Sequence, residues 1–293
     1  MIDELAFIAM RGLGLGAIFA LIAISLNVIY RATHVLNFAQ GGMLVLGGLV
    51  GVQFSQAGYF GAWWLVGLVV AALALAVVMA VQGAITLYPL RHSTEQQSWL
   101  ITTLSVSIII GALLLLTLGP WSAEYGGPVP SFQFLGMYTQ LPYLVMPCLA
   151  VAWFVALRIY FSRFLGGLAL SALSQDLEAA AAAGLKVRRL QILSFAISGL
   201  VVGSAGYAAA PIISITPEAG LRYVISGFVV AVVGGMGNMT GAIVAGPIIG
   251  IISMVATYQF GGQYQGYVSL IILTLMLLVR PSGLFGAHMA RRF

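Results

Sequence analysis

Residues 62–88 read AWWLVGLVVAALALAVVMAVQGAITLY, 27 consecutive positions without Asp, Glu, Lys or Arg. A helix needs roughly 20 apolar residues to cross the hydrocarbon core of a bilayer. The stretch therefore reads as a transmembrane helix. The same pattern recurs on both sides of it. Further apolar runs lie at about 6–30, 35–54, 98–118, 141–161, 190–212, 222–236, 241–258 and 264–280. Helix is the default for each, because lipid offers backbone polar groups no outside partner. The fold class predicted is an all-α, polytopic membrane helical bundle with about eight to nine transmembrane helices. The run 222–236 is short and ends in Gly234-Gly235-Met236-Gly237-Asn238. It is either a full span, a half-helix or a re-entrant segment.

Composition agrees. The chain has 293 residues, 61% of them hydrophobic and only 6% charged, with a mean hydropathy of +1.07. A soluble domain carries roughly 25% charged residues. The outer surface must face lipid, and residues 1–293 form one membrane domain without room for a folded soluble one. The 36 glycines suit close packing of transmembrane helices. Cys148 is the single cysteine, which excludes an intrachain disulfide, and no metal-ligand spacing appears. The acidic start at Met1–Glu4 and the long first apolar run argue against a cleavable signal peptide.

The net charge of +5 marks orientation and not nucleic-acid binding, because the basic residues flank apolar runs. Arg158, Arg163, Lys186, Arg188 and Arg189 cluster in one connection. Arg91 lies in another, and Arg280, Arg291 and Arg292 lie in the tail. Loops 55–61 and 119–140 hold no Lys or Arg. Alternating nine spans puts every basic loop on one side. By the positive-inside rule that side is the cytoplasm, with the N-terminus outside and the C-terminus inside a bacterial plasma membrane. Gly-rich breaks at 41–51 and 234–241 predict irregular backbone, tolerated at depth where protein or a water-filled path covers it. The Pro-rich outer loop 119–140 either covers an outer mouth or simply connects. Trp63, Trp64, Trp121 and Trp153 fit interfacial belts.

No residues for ATP hydrolysis are present. A phosphate-binding loop needs Lys after a Gly-rich turn, and the only lysine, Lys186, follows Gly184-Leu185. His34, His92 and His288 are isolated and read as structural. The most informative segment is the connection 162–189. Within it Ala179–Ala183 are strong helix formers. Ser174 or Asp176 would cap the start, and Gly184 sits where a helix stops. The expectation is a short cytoplasmic helix over about 171–185. It has little bulky apolar surface to rest on lipid, which favours docking into a partner.

Gln175-Asp176-Leu177-Glu178-Ala179-Ala180, followed by Gly184-Leu185, resembles the cytoplasmic coupling loop of ABC-importer permeases. More narrowly it is similar to the branched-chain (hydrophobic) amino-acid permease family. Leu36-Asn37-Phe38-Ala39-Gln40-Gly41-Gly42, Val230 to Asn238 with Gly241-Ala242, and Arg280-Pro281-Ser282-Gly283-Leu284-Phe285-Gly286 resemble that family's other segments, in the same order. The resemblance implies a permease subunit of an ATP-driven importer. Its solute would be a branched-chain or other hydrophobic amino acid, or a related urea, amide or aromatic acid. Its partners would be a second homologous permease subunit, two ATPase subunits holding ATP and Mg, and an external solute-binding protein. This chain itself would bind no cofactor. Ser171, Ser174, Gln175, Asp176, Glu178, Ala179, Ala180 and Gly184 would couple to the ATPase. Asn37, Gln40, Gly41, Gly42, Gly234, Gly235, Gly237 and Asn238 would line the translocation path, although Asn37, Gln40 and Asn238 equally suit inter-helix hydrogen bonding. Two departures stand out. Ser171 replaces a basic residue usual in the family, and Gly42 replaces a frequent Glu.

Two rival classes remain on the residues alone. An ion-coupled secondary transporter would favour embedded carboxylates, and no Asp or Glu reads as lying inside a span. A passive channel would need more than the single half-helix-like turn at Asn37-Phe38-Ala39. A build of two related halves joined near 158–189 is a further expectation.

Overall fold

The computed structural model describes residues 2–87, 98–119, 121–134, 136–280 and 283–285. Arg91, His92, Pro120, Pro281, Ser282, Gly286, His288, Arg291 and Arg292 lie outside the described residues. The elements run α1 (Ile2–Thr33), α2 (Gln40–Gln56), α3 (Ala62–Leu87), α4 (Ser98–Leu118), β1 (Ser131–Phe134), β2 (Met137–Gln140), α5 (Pro142–Arg163), α6 (Leu165–Leu173), α7 (Leu177–Ala182), α8 (Val187–Ala209), α9 (Ala219–Gly234), α10 (Met239–Phe260) and α11 (Gln265–Val279). Each predicted apolar run has become a helix. Among the described residues, seven helical stretches are long and apolar enough to cross a membrane: α1, α3, α4, α5, α8, α10 and the stretch Gly262–Val279 that contains α11.

The other two, α2 and α9, have 17 and 16 residues. At 1.5 Å per residue they are about 24–26 Å long, short of the roughly 30 Å hydrocarbon core. The expectation of a short element at 222–236 is met by α9. The irregular backbone expected at 41–51 is instead continuous helix, Gln40–Gln56, and the break lies just before it. His34, at φ +53, ends α1, and the chain stays non-helical until Gln40. The Asn37 side chain accepts from the Ala39 N–H at 3.1 Å and holds the turn.

Helix α1 is the centre of the bundle. Every side chain from Ile18 to Ser25 is fully buried. That explains a helix apolar on all sides. Large apolar residues on α3, α4 and α5 point outward instead, among them Leu65, Val77, Ile109, Leu116 and Val151. Those faces suit lipid.

Two sets of helices repeat in opposite sense. In the first, α1 lies against α10, with Gly16 on Gly246 and Gly250 and Gly12 on Ile251. In the second, α8 lies against α3, with Gly199 on Leu75 and Ala76 and Gly203 on Ala71 and Leu75. Helices α1 and α8 are antiparallel, since Gln191 reaches Ala32 and Ser198 reaches Ser25. Helix α2 runs parallel to α8, with Gln40 beside Ser198 and Gly51 beside Tyr207 and Ala210. Helix α9 runs parallel to α1, with Gly227 beside Ile22 and Gly237 beside Asn27. So α1-α2-α3 and α8-α9-α10 are an inverted pair. They are joined by the segment that holds α6 and α7.

Two further differences from expectation concern the connections. Strands β1 and β2 pair antiparallel, with Ser131 opposite Gln140 and Phe134 opposite Met137. Backbone pairing of Ala123 with Ile215 ties this loop to the α8–α9 break. And Trp153 is no interfacial anchor. It sits in the middle of α5, and its indole N–H donates to the Ser204 hydroxyl on α8 at 2.8 Å.

Candidate coupling surface and membrane-interior cavity

The predicted coupling helix is two short helices. Ser174 ends α6, its hydroxyl donating back to the Ser171 carbonyl at 2.7 Å. Asp176 then caps α7. One carboxylate oxygen accepts from the N–H groups of Glu178 and Ala179, each at 2.9 Å. These satisfy two of the donors that a helix start leaves free. At the other end Gly184 takes φ +84. Its N–H donates to Ala181 O at 3.0 Å, and the Leu185 N–H donates to Ala180 O at 3.1 Å. This is the double closure of a Schellman ending. A six-residue helix is thus fixed at both ends by its own sequence. Only Ala180 is buried. Gln175, Asp176, Leu177, Glu178 and Ala179 are exposed and contiguous. The single helix expected over 171–185 is corrected to a bent pair, because the capping geometry of Asp176 requires extended backbone at that residue (φ −154, ψ 114).

The eight predicted path residues fall into separate places. Asn37 and Gln40 are fully buried and their amides are used internally. Asn37 and Gln82 exchange two hydrogen bonds, and Gln40 bonds Ser25 and Ser198. Gly41 lies against Gly220, where an added Cβ would overlap the Gly220 carbonyl oxygen. Only Gly42 of this first group lines open space. The second group, Gly234, Gly235, Gly237 and Asn238, forms the bend between α9 and α10. Asn27 accepts from the Gly237 N–H at 2.9 Å, and Asn238 caps α10. The tail docks on the same bend, with Leu284 N–H to Val233 O at 2.7 Å and Asn238 Nδ2 to Phe285 O at 3.0 Å. Gly237 and Asn238 also share a groove of about 690 Å³ with Ser171, Ser174, Arg31 and Arg158. The bend is therefore next to the coupling segment.

A second cavity, of about 640 Å³, lies among α2, α4 and α9. Gly42 and Val45 line it from α2, and Leu104, Ser107, Ile108 and Gly111 from α4. From the start of α9 come Glu218, Leu221, Arg222 and Ile225. Its depth is fixed twice. Ile108 is the middle residue of α4 (Ser98–Leu118). Gln40, next to Gly41, bonds Ser198, the middle residue of α8 (Val187–Ala209). So α2 and α9 both begin halfway through the bundle, touching at Gly41 and Gly220, and run to opposite ends. Glu218 and Arg222 stand at that level. Glu218 precedes α9, so no Asp or Glu lies inside a spanning helix among the described residues beyond Glu4 at the start of α1, but a carboxylate does stand beside the mid-bundle cavity. The sequence signal was Pro211 and Pro217, which break the chain inside what reads as one connection.

The matched family model, "Branched-chain amino acid transport system / permease component", covers residues 8–280. The chain belongs to that family. This permease is 30% identical over 284 residues to the "Probable branched-chain amino acid transport permease protein LivH" of Methanocaldococcus jannaschii, covering 91% of this chain and 88% of the relative. It is 28% identical over 292 residues to the "High-affinity branched-chain amino acid transport system permease protein LivH" of Escherichia coli, covering 94% of each. BraD of Pseudomonas aeruginosa, with the same description, is 26% identical over 303 residues and 94% of each chain. No solved structure matches the permease. The family accounts for the ordered motifs, and two of them, the α9–α10 bend and the tail, are backbone neighbours in space.

Proposed function

We propose that this permease subunit imports branched-chain or related hydrophobic amino acids, driven by separate ATPase subunits that grip α7. The observation that carries the reading is an exposed, doubly capped helix on the most basic end of the bundle. Arg158, Arg163, Lys186, Arg188 and Arg189 gather at that end, which makes it cytoplasmic by the positive-inside rule and puts the N-terminus outside. The hairpin end then faces the external binding protein. A second homologous permease subunit completes the membrane part. The relatives are branched-chain amino acid permeases, which supports the solute class. ATP and Mg bind the partners, and this chain works as a transmitter without an ATPase site of its own.

Mechanically, α7 rides on α6 and α8, and α6 and α7 join the two inverted halves. A push on α7 is passed to α8, which packs on α1, α2 and α3. Rigid rotation of packed helices is a known form of such switching. The test is reconstitution. The permease reconstituted with its ATPases, second permease and binding protein should take up leucine only with ATP. Leucine uptake by this permease alone would replace the reading with a channel or secondary transporter.

A further inference from the structure

We infer that Glu218 and Arg222 form a binding subsite for the zwitterion of an α-amino acid, halfway through the membrane. The inference rests on the proposed import function and names how the solute is recognised. Both side chains are exposed to the cavity of about 640 Å³. Neither forms an ion pair or a side-chain hydrogen bond with any described residue. Glu218 has helical backbone (φ −90, ψ −16). Residues four apart on a helix hold their Cβ atoms about 5–6 Å apart, so the two charges lie one turn apart on one face. A carboxylate and a guanidinium so placed match the ammonium and carboxylate of one small zwitterion.

Depth decides what can occupy the site. Ionised groups inside a bilayer are costly and rare. An unpaired Glu and Arg at the level of the α4 midpoint would be a burden without a partner. Lipid headgroups, the other zwitterions of a membrane, do not reach that level. Chain starts converge there too. The beginnings of α2 and α9 meet beside the cavity, and irregular backbone at such depth marks binding sites in other transporter folds. Apart from Ser107 the rest of the lining carries no polar side chain, with Val45, Ile110, Leu114 and Ile225 around the charges. That combination, a charged end and an apolar body, suits an amino acid with an aliphatic side chain. The volume falls within the roughly 300–1,000 Å³ of small-molecule sites.

The test uses the whole transport complex in proteoliposomes, with leucine as probe and the variants Glu218→Gln and Arg222→Gln. Each removes one charge-assisted contact, and the expected result is a KM for leucine uptake raised about tenfold or more. Assembly with the second permease and ATP hydrolysis stimulated by the binding protein should remain as in the parent complex. Parent-like KM in both variants overturns the inference and leaves the import function standing. Loss of assembly in either variant also overturns it, because the charges then serve a protein contact. A parent complex that hydrolyses ATP without leucine uptake removes the import reading, and the inference falls with it.

Discussion

Asn37 and Gln82 hydrogen-bond to each other in both directions. Asn37 Nδ2 donates to Gln82 Oε1 at 3.2 Å, and Gln82 Nε2 donates to Asn37 Oδ1 at 2.8 Å. Asn37 lies in the break between α1 and α2, and Gln82 lies on α3. The pair fastens non-helical backbone to a spanning helix, where lipid could not satisfy it. This is how the chain affords a helix that starts halfway through the bundle.

Asn37→Ala should therefore destabilise the permease by about 1–3 kcal/mol, since it strands the Gln82 amide and the Ala39 N–H. Gln82→Ala should cost less, because Ala39 keeps its acceptor. The double-mutant cycle, read from thermal unfolding in detergent, should give a coupling of about 0.6–1.7 kcal/mol. Additive effects would mean that the two amides do not act as a pair.

Gly41 and Gly42 are neighbours with opposite tolerance. A Cβ at Gly41 collides with the Gly220 backbone, which cannot step aside. At Gly42 the nearest atom is an Ile110 methyl at 3.1 Å, which can give by a few tenths of an ångström. Gly41→Ala should lower the yield of monodisperse permease sharply, and Gly42→Ala should leave it near the parent level. Size-exclusion profiles check this. Equal profiles would contradict the crossing of α2 on α9.

Asp176 supplies the acceptors for two N–H groups of a six-residue helix. Short helices are marginal unless fixed at their ends. Asp176→Ala should weaken α7 by about 0.5–2 kcal/mol. ATP-driven uptake should fall several-fold, while the unfolding midpoint changes little because α7 adds only Ala180 to the buried core. Asp176→Asn, which keeps a capping oxygen, should retain most uptake. Comparable loss in both variants would assign the carboxylate a role other than capping.

Much of this was legible in the sequence. Uninterrupted apolar runs such as 62–88 fix helices because bilayer solvation leaves no alternative, and each predicted run is a helix. Asp176 and Gly184 announced the ends of α7 because caps depend on local chemistry. The α1–α2 break was legible only in part. The apolar runs separate at 31–34, but the non-helical stretch continues to Gln40, held by a partner 45 residues from Asn37, Gln82. The depth of Glu218 was hidden for a similar reason. Its level depends on Gly220 meeting Gly41, a contact between distant segments that leaves no periodic trace. Strands β1 and β2 also depend on pairing and not on composition.

The grip of an ATPase subunit on α7 is open to cysteine crosslinking. In a Cys148→Ser background, which removes the one exposed native thiol, Gln175→Cys or Glu178→Cys on α7 and Tyr138→Cys on the hairpin are placed in the whole complex. Gln175, Glu178 and Tyr138 are all exposed. The account predicts that both α7 positions crosslink to an ATPase subunit and that position 138 does not. An ATPase captured by the hairpin, or a transport-competent complex whose α7 captures no ATPase, would contradict it.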